Sequence, residues 1–590
     1  MRSSGSTSST LHMLVVDPAA VVSFDDETRH RFRDRIGAWR PQVVVVSLDG
    51  ASAAELPEPD YLVTDDGTLI TRIGTDEQAS GWPPDDPDAA PTTVDEAAAV
   101  AWLADSLMIP PSAVIAVVVP GRLGLEPPDG WAVIQVGDGE APSGASTVMP
   151  AEGSQLMEAV DAALGGGPSA GAGDITDTAF EQAVLSLRRN ITDLGFTAAS
   201  MVDNVFMDHD ANYAAVWARD GVMTGLWAMA LDDPELDGAF RRTLELLARH
   251  QAISGQIPAY VRIDGEQPDY SGIGGIASID SVLWFVTGTA RYAFHRRDRD
   301  FAKAMLPAVE KAMVWLAAHD SNNDGLLEVP ESSDWMDLFP RSYNVLYDEV
   351  LWYQACLDCA ALCEALTGDP GRWRDMAEAV QRRIVDVFWP TGRQLMELAG
   401  STSGRFSTGE ARYLLSQVTP FDYSWRCDVL ANLLASLCGL LDEAKQQRVF
   451  HFLWGVGINQ PYPVACIYPP IHSGADDWKD YFIVNFMNLP DHYHNGGAWP
   501  FIGGLWVRFL HEIGREELAH LELTSLAEAC RLGLYGEWEF NEWLHGRTGR
   551  PMGKAHQAWS AAAYIQAYLI VRKGVAPVDL GPLDPADLAP

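Results

Sequence analysis

The stretch FAKAMLPAVEKAMVWLAAH, residues 301–319, repeats apolar residues every three or four positions, which predicts a helix with one buried face. The stretch RRTLELLARHQ, residues 241–251, has the same period. Helical stretches of this kind, almost all of them amphipathic, occur near 177–193, 218–231, 236–251, 277–294, 299–318, 344–367, 371–388, 425–440, 442–456, 498–513, 515–533 and 556–573. A dozen helices joined by alternating short and long loops predict six hairpins closed into an all-α (α/α)6 toroid. In such a barrel, the long loops at one end are expected to carry the function.

The first part of the chain has a different, α/β pattern. Short β-branched runs bounded by turns predict buried parallel strands at Leu14–Asp17, Val43–Leu48, Tyr61–Thr64, Val114–Pro120 and Trp131–Gly137, separated by helical stretches such as Val94–Leu107. The run GGGPSAGAG, residues 165–173, has the composition of a flexible joint. We therefore predict a multi-domain chain with a disordered N-terminus (1–10), an α/β domain (11–164), a Gly-rich linker (165–174), a helical barrel (175–575) and a C-terminal tail (576–590).

The α/β part resembles the HAD phosphatase superfamily, in its sucrose-phosphate-phosphatase-like branch. The resemblance rests on strands ending in Asp17 and Ser47 and on YLVTDDGTLI at residues 61–70. The second aspartate of the family's first motif is replaced by Ala19, no lysine precedes Lys303, and PGRLG stands where the magnesium-binding acids belong. Phosphoryl transfer needs such a metal and cation. We interpret residues 11–164 as a degenerate HAD-like domain; an active phosphatase is the alternative.

The charge balance limits the classes of partner. The chain has 81 acidic and 41 basic residues, a formal net charge of −40. Such a surface repels nucleic acids and anionic membranes, because phosphate binding needs clustered cations. The polar start MRSSGSTSST lacks the apolar core of a signal peptide, and no apolar run reaches membrane-spanning length. We predict a cytoplasmic protein that binds neither nucleic acid nor membrane, and homo-oligomerisation is left open.

The seven cysteines do not describe a disulfide framework, since their number is odd and the chain is long. Cys356, Cys359 and Cys363 share one face of an apolar helical stretch, and we interpret them as small core residues rather than metal ligands.

The loop VPESSDWMD, residues 329–337, carries the first chemical signal. Glu331, Asp334 and Asp337 surround Trp335, which we expect to be exposed and able to stack on a sugar ring. A carboxyl crowded by other acids and by an indole has a raised pKa and can protonate a glycosidic oxygen. The alternative is a solvated acidic loop that happens to hold a tryptophan.

Four further loop motifs carry candidate sugar ligands. They are YAAVWARDGVMTGLW from residue 213, GQIPAYVRID with YSGIGGIASIDSVLW from residue 255, YPPIHSGADDWKDYF with YHNGGAWPFIGGLW from residue 468, and NEWLHGRTGRPMGKAHQAW from residue 541. Arginine, carboxylate, amide and indole groups are those that bind sugar hydroxyls and ring faces. The predicted substrate-binding residues are Trp217, Arg219, Asp220, Gln256, Asp280, Trp335, Arg341, Trp478, His494, Asn495, Trp499, Gln557 and Trp559.

Together these motifs resemble the (α/α)6-barrel glycoside hydrolases, most closely the alkaline/neutral invertase family, with the glycogen-debranching glucosidase and mannosylglycerate hydrolase barrels as near competitors. WARDGV, ASIDSVLW, WMD before YDEVLWY, HNGGAWP and EWLHGRTGRPMGK carry the resemblance over about two thirds of the chain. The resemblance implies that Asp337 protonates the leaving group and Glu542 activates the water. Asp334 or Glu331 remains a rival for the acid, and Glu537 or Glu539 for the base.

Two segments depart from the invertase pattern. The family's GHPLEIQ segment after the acid is replaced by SYNVLYDEV, and RDF is replaced by RDG. These segments shape the subsite for the leaving group. The implied activity is inverting hydrolysis of a small α-glucoside, with sucrose as a candidate. An α-1,6-glucosidase, a glucosyl- or mannosylglycerate hydrolase, and an inactive carbohydrate sensor are the alternatives.

No cofactor is expected, since both proton transfers are side-chain chemistry. Asp320, Asn322, Asp324, Gly325 and Glu331 do fit the spacing of a calcium loop. Pro330 interrupts the exit helix and no paired loop is found, so the site prediction includes no metal.

Overall fold

The computed structural model describes residues 174–204, 214–272, 275–390, 411–578 and 580–588, together with seven short strands before residue 150. The chain divides into two compact units, Met1–Gly173 and Asp174–Pro590. The predicted elements at Val114–Pro120 and Val94–Leu107, the N-terminus, the Gly-rich joint, and the HAD-motif positions Asp17, Ala19 and Ser47 lie outside the described residues.

The described strands of the first unit form two sheets. In one, β1 (Leu11–Val16) pairs in parallel with β6 (Trp131–Val136), which pairs in parallel with β7 (Thr147–Met149). The other sheet runs in the order β2, β3, β4 and β5; the first pair is parallel and the other two pairs are antiparallel. Its strands are Val44–Val46, Tyr61–Thr64, Leu69–Arg72 and Gln78–Ala79. The degenerate HAD-like assignment remains a prediction.

The described part of the second unit contains twelve α-helices, one in each predicted helical stretch. They are α1 Ile175–Arg188, α2 Ala218–Ala228, α3 Pro234–Arg249, α4 Asp280–Arg296, α5 Arg299–Ala317, α6 Leu346–Thr367, α7 Trp373–Phe388, α8 Val429–Leu437, α9 Glu443–Gly455, α10 Pro500–Glu512, α11 Glu516–Arg531 and α12 Ala558–Lys573.

The even-numbered helices form a closed inner ring. Each packs against the next in the series α2, α4, α6, α8, α10 and α12, and α12 packs against α2. The odd-numbered helices lie outside, each against a neighbouring inner helix, and α1 closes the outer layer against α11 and α12. The predicted (α/α)6 toroid is therefore confirmed for the helical unit.

The two layers differ in burial. Every residue of α2 is buried, and α10 is buried from Pro500 to Leu510. The outer helix α3 buries one stripe that includes Leu236, Phe240 and Leu247 and exposes its opposite face to solvent. The expectation that almost every helix is amphipathic was wrong for the inner ring, because those helices are covered by neighbours on all sides.

The lengths of the connections separate the two ends of the barrel. An inner helix is followed by a short turn, often capped at the next helix by an aspartate such as Asp233, which accepts hydrogen bonds from the N–H groups of Glu235 and Leu236. An outer helix is followed by a long connection to the next inner helix. These connections span 189–217, 250–279, 318–345, 389–428, 456–499 and 532–557, of which 205–213, 273–274 and 391–410 lie outside the described residues. All six therefore lie at the end where the inner helices begin, and the predicted site residues lie in them or in the first helical turns.

Short strands stiffen the long loops. β8 (Ala215–Trp217) pairs with β9 (Tyr260–Arg262), which pairs with β10 (Pro268–Asp269). The remaining strands in this unit are β11 Asn344–Val345, β12 Gln417–Val418, β13 Tyr423–Ser424, β14 Cys427–Asp428, β15 Ile467–Tyr468, β16 Trp543–Leu544 and β17 Pro551–Met552. Their hydrogen bonds fix the loops that carry the candidate site.

The C-terminal segment packs under the barrel. Val578, Leu580 and Leu588 are buried. Arg291, in the second half of α4, donates a hydrogen bond to the Gly581 carbonyl at 2.7 Å, and Arg508, near the end of α10, donates one to the Val578 carbonyl at 3.2 Å. The predicted tail thus covers the end of the ring opposite to the long loops.

Two further sequence predictions concern the cysteines and membrane-spanning segments. All seven cysteines are free and buried, as expected for core residues. No helix among the described residues is long and apolar enough to cross a membrane.

Candidate active site

Asp337 lies in the long loop before α6, with its side chain buried. Burial raises the pKa of this carboxyl to about 7; Arg219 opposes the shift, while Asp280, Asp334 and Asp220 add to it. A carboxyl of this kind holds its proton near neutral pH. It can therefore donate that proton to a leaving group.

Arg219 organises the carboxylates beside Asp337. Its Nη1 donates to Asp280 Oδ2 at 3.0 Å, and its Nε lies 3.7 Å from Asp220 Oδ2. Arg219 and Asp220 are in the first turn of α2, and Asp280 is the first residue of α4. Burial raises the pKa of Asp220 to about 6, against the opposing charge of Arg219. The three predicted ligands are therefore brought together with Asp337.

The rival acids have other partners. Arg341 donates to both carboxylate oxygens of Asp334, each at 2.8 Å, and also pairs with Asp428. This bidentate pair occupies both carboxylate oxygens of Asp334, so neither is free to act on a leaving group. Glu331 is exposed and accepts a hydrogen bond from the Tyr481 hydroxyl at 2.7 Å.

Glu542 is buried directly before the hairpin of β16 and β17. The backbone N–H of Lys554 donates to Glu542 Oε2 at 3.1 Å, and the Glu542 N–H donates to the Lys554 carbonyl at 2.8 Å. Gly553 has a φ of +72°, and a Cβ there would lie 2.5 Å from Glu542 Oε2. Gly553, the second glycine of the GRPMGK motif, therefore leaves the space that this carboxylate occupies.

Three basic residues follow Glu542 within twelve positions of the sequence. Arg547 and Arg550 are exposed, whereas Lys554 is buried.

The rival bases are engaged elsewhere. The Glu539 carboxylate accepts hydrogen bonds from the backbone N–H groups of Leu534, Tyr535 and Gly536, which makes it a cross-link of its own loop. Glu537 is exposed and pairs with Arg531 at the surface.

Tyr493 lies within electrostatic range of both predicted catalytic residues and was missed in the sequence. Burial raises the pKa of its hydroxyl well above the usual range, and the charges of Glu542 and Asp337 both raise it further. Each carboxylate therefore acts on the same phenol. An aromatic residue immediately before HNGG was the only available signal, and it was not specific enough to single out Tyr493.

An aromatic cluster lies beside this phenol. The His494 ring stacks in parallel on Trp499, with centroids 5.2 Å apart, and meets the edge of Trp335 at 4.9 Å. Trp335 also contacts Phe501 and is only 1% exposed. The expectation of an exposed Trp335 was wrong, because the loop folds inward and packs its indole among these rings.

Several predicted ligands carry buried polar atoms that make no hydrogen bond to the described residues. These atoms are Arg219 Nε, Trp335 Nε1, both ring nitrogens of His494, Gln557 Oε1 and Trp559 Nε1. Buried polar groups in folded proteins are normally hydrogen-bonded. A polyhydroxylated ligand would supply such partners.

Other predicted ligands have structural partners. The Asn495 amide accepts from the Ile471 N–H and donates to the carbonyls of Ile471 and Asn488. Gln256 Nε2 donates to the Tyr270 carbonyl at 2.9 Å. Because its amide is fully used within the loop, Asn495 is better explained as a positioning residue than as a sugar ligand; Arg341 is likewise held by two aspartates.

The remaining predicted ligands contact neighbouring aromatic or polar side chains. Trp217 is half-buried against Tyr260, with ring centroids 4.5 Å apart, and Trp478 is half-buried at the edge of Phe482. Gln557 Nε2 lies 3.4 Å from Asp220 Oδ1.

The acidic loop with calcium-site spacing brings together a different set of carboxylates from the one predicted. Carboxylate oxygens of Asp320, Asp324 and Glu328 lie within 4.8 Å of one another. Glu331, expected to close this loop, instead binds Tyr481. Asp324 also pairs with Arg383 at 3.0 Å.

Comparison with known proteins shows which families this chain resembles. The sequence profile of the family described as alkaline and neutral invertase matches residues 401–574. The helical unit resembles the alkaline and neutral invertases. Alkaline/neutral invertase E, chloroplastic, of Arabidopsis thaliana is 22% identical over 436 residues, which cover 64% of this chain and 69% of that protein. Neutral/alkaline invertase 1, mitochondrial, of Oryza sativa subsp. japonica is 27% identical over 165 residues, which cover 27% of this chain and 25% of that protein. The matches to these invertases support a glycoside hydrolase.

Solved structures with similar architecture include two glycosidases. The GH63 mannosylglycerate hydrolase from Thermus thermophilus, in complex with Tris and D-glycerate, is 16% identical, with a TM-score of 0.48 over 66% of this chain and 99% of that one. A rhamnosidase from Klebsiella oxytoca with rhamnose bound is 16% identical, with a TM-score of 0.45 over 69% of this chain and 66% of that one.

Proposed function

We propose that the protein is an inverting glycoside hydrolase that acts on a small α-glucoside, with sucrose as the first candidate. Sucrose is the candidate because the similar sequences are those of invertases. The supporting observation is that Asp337 and Glu542, distant in sequence, both act electrostatically on the Tyr493 hydroxyl.

The proposed reaction is a single displacement. A water oxygen attacks the anomeric carbon while Glu542 accepts one of the water's protons. The bond from the anomeric carbon to the glycosidic oxygen breaks, and Asp337 transfers its proton to that oxygen. Such a pair of carboxyls is separated by roughly 6.5–9.5 Å in inverting enzymes, which leaves room for the water.

The substrate ring would be held by the groups around these acids. The Arg219, Asp220 and Asp280 cluster offers donors and acceptors to neighbouring hydroxyls, and His494 and Gln557 offer buried polar atoms that lack partners among the described residues. The charge of Arg219 would also oppose the build-up of negative charge among the acids. No cofactor enters this scheme.

The test is the pair of variants Asp337→Asn and Glu542→Gln, measured on a panel of sucrose, α-1,6-linked glucosides and glycosyl-glycerates. Each variant should fold like the wild type and lose at least about a thousandfold in kcat/KM. Glu331→Gln and Glu537→Gln, which change exposed rivals, should retain activity. Wild-type activity in Glu542→Gln would remove that residue from the mechanism.

The same panel distinguishes the substrate classes. Preferred hydrolysis of a glycosyl-glycerate or an α-1,6-glucoside would replace sucrose as the substrate. Sugar binding without turnover on any member would favour the carbohydrate-sensing alternative. A cytoplasmic location is proposed from composition; the named relatives are chloroplastic or mitochondrial.

A further inference from the structure

The backbone of Tyr493 is held in an unfavourable conformation. Its φ is +39°, in the left-handed region that a tyrosine rarely adopts. Its carbonyl oxygen accepts hydrogen bonds from Gly497 N and Trp499 Nε1, both at 3.0 Å, and from Cys466 Sγ at 3.4 Å. Backbone strain maintained by several surrounding contacts is typical of functional positions.

Gly497, four residues after Tyr493, leaves room for this backbone conformation. A Cβ at Gly497 would lie 2.5 Å from the Tyr493 carbonyl oxygen and 2.8 Å from its nitrogen. The second glycine of HNGG is therefore required by the close approach of the Tyr493 backbone.

The Tyr493 loop is bonded to the segment that carries Glu542. Ala498 and Leu544 exchange two backbone hydrogen bonds, at 2.8 and 2.7 Å, and Gly546 N donates to the Asp491 carbonyl at 2.8 Å. The Tyr493 ring lies 5.8 Å from the ring of Trp543, the residue after Glu542. The phenol and the Glu542 carboxylate are thus held on one backbone-paired unit.

The hydroxyl is also in the chemical state needed to hold a water. Burial and the nearby negative charges keep the pKa of Tyr493 well above neutrality, with Glu542 contributing more than Asp337. A protonated phenol can donate one hydrogen bond and accept another.

We propose that the Tyr493 hydroxyl holds the attacking water together with the Glu542 carboxylate, which makes Tyr493 a further catalytic residue on the base side of the site. The inference rests on the proposed hydrolase function. The water's proton goes to Glu542, and the phenol neither gains nor loses a proton.

A substrate with a leaving group that needs no protonation separates the two sides of the site. The C–F bond of α-glucosyl fluoride breaks without a proton from Asp337, but a water must still attack. We expect Asp337→Asn to recover turnover on the fluoride relative to a glycoside. Glu542→Gln should not recover.

Tyr493→Phe removes only the hydroxyl. It should lower kcat about tenfold or more on both the glycoside and the fluoride, with little change in KM, as for loss of a group used in the transition state. Tyr564→Phe is the matched control; that buried hydroxyl donates to the Thr176 carbonyl at 3.0 Å, away from the site. Its kinetics should be those of the wild type.

Four outcomes would overturn the inference. Recovery of Tyr493→Phe on the fluoride would assign the hydroxyl to the acid side. A raised KM with unchanged kcat would assign it to sugar binding, and unchanged kinetics with a lowered Tm would leave it a structural role. An active wild type in any of these cases keeps the proposed function intact, whereas a wild type inactive on both substrates would overturn that function as well.

A second variant tests the inference if Tyr493→Phe fails to fold. Incorporation of 3,5-difluorotyrosine at position 493 keeps the ring and the hydroxyl but makes the phenol more acidic. Turnover of the fluoride should then decline at a lower pH than in the wild type. An unchanged profile would contradict a role for the protonated phenol.

Discussion

At the residue scale, the acids of the site differ in their partners more than in their type. Asp334 is held by the Arg341 guanidinium, whereas Asp337 faces Arg219 at longer range and is surrounded by other carboxylates. Crowding of acids was visible in the sequence, and so was the possibility of a raised pKa. The partner of each acid was not, because Arg341 reaches Asp334 and Asp428 through a turn that no local pattern encodes.

The raised pKa of Asp337 predicts a pH dependence. The acid must be protonated to act, so kcat/KM should decline as the pH rises through about 7, the pKa of the free enzyme's acid. Initial rates from about pH 5 to about pH 9 measure this limb. Asp264→Asn, which changes an exposed carboxylate, should leave it in place. Activity that stays constant across this whole range would contradict Asp337 as the acid.

At the element scale, the helices were predictable and the loops were not. Periodicity located all twelve helices in the described part of the second unit, although α8 begins at Val429 and ends at Leu437, well inside the predicted 425–440. The strand at Cys427–Asp428 occupies part of that stretch. The left-handed Tyr493 and the inward Trp335 depend on contacts between loops distant in sequence, which hydrophobic periodicity does not record.

The HNGG turn provides a prediction at this scale. Gly497→Ala places a Cβ against the Tyr493 backbone and should destabilise the protein by about 1–3 kcal/mol, as overpacking does, while lowering kcat. Thermal unfolding and steady-state kinetics measure both effects.

Gly455→Ala is the control, since a Cβ there has no neighbour within 4 Å and the residue ends α9. It should be neutral or stabilising by up to about 1 kcal/mol. Wild-type stability and activity in Gly497→Ala would show that the turn can relax and would remove the steric argument.

At the scale of the whole molecule, the helical ring has two different ends. The long loops form the candidate active site where the inner helices begin, and the C-terminal segment seals the other end through Val578, Leu580 and Leu588. The sequence predicted the ring from the number of helices and the loop lengths. The sequence predicted this C-terminal segment only as a tail, because three scattered apolar residues in a Pro-rich segment form no periodic pattern.

Shortening one buried side chain of the C-terminal segment should lower the stability of the protein without changing its substrate specificity. Leu580→Ala is expected to cost about 2–5 kcal/mol in the free energy of unfolding, as for a buried leucine, with KM unchanged. Leu185→Ala, at a side chain that is 54% exposed, should change stability by less than about 0.5 kcal/mol. Equal unfolding free energies in urea for the two variants would show that the C-terminal segment does not stabilise the barrel.

The proposed mechanism requires that Asp337 and Glu542 act on opposite faces of one sugar, with the water between Glu542 and the anomeric carbon. The most direct measurement is the anomer released first, followed by proton NMR immediately after enzyme is added to an α-glucoside that the wild type hydrolyses. Inversion of the α-glucoside should release β-glucose first, with α-glucose appearing later by mutarotation. Release of α-glucose first would contradict inversion, because retention requires a double displacement in place of a single attack by water.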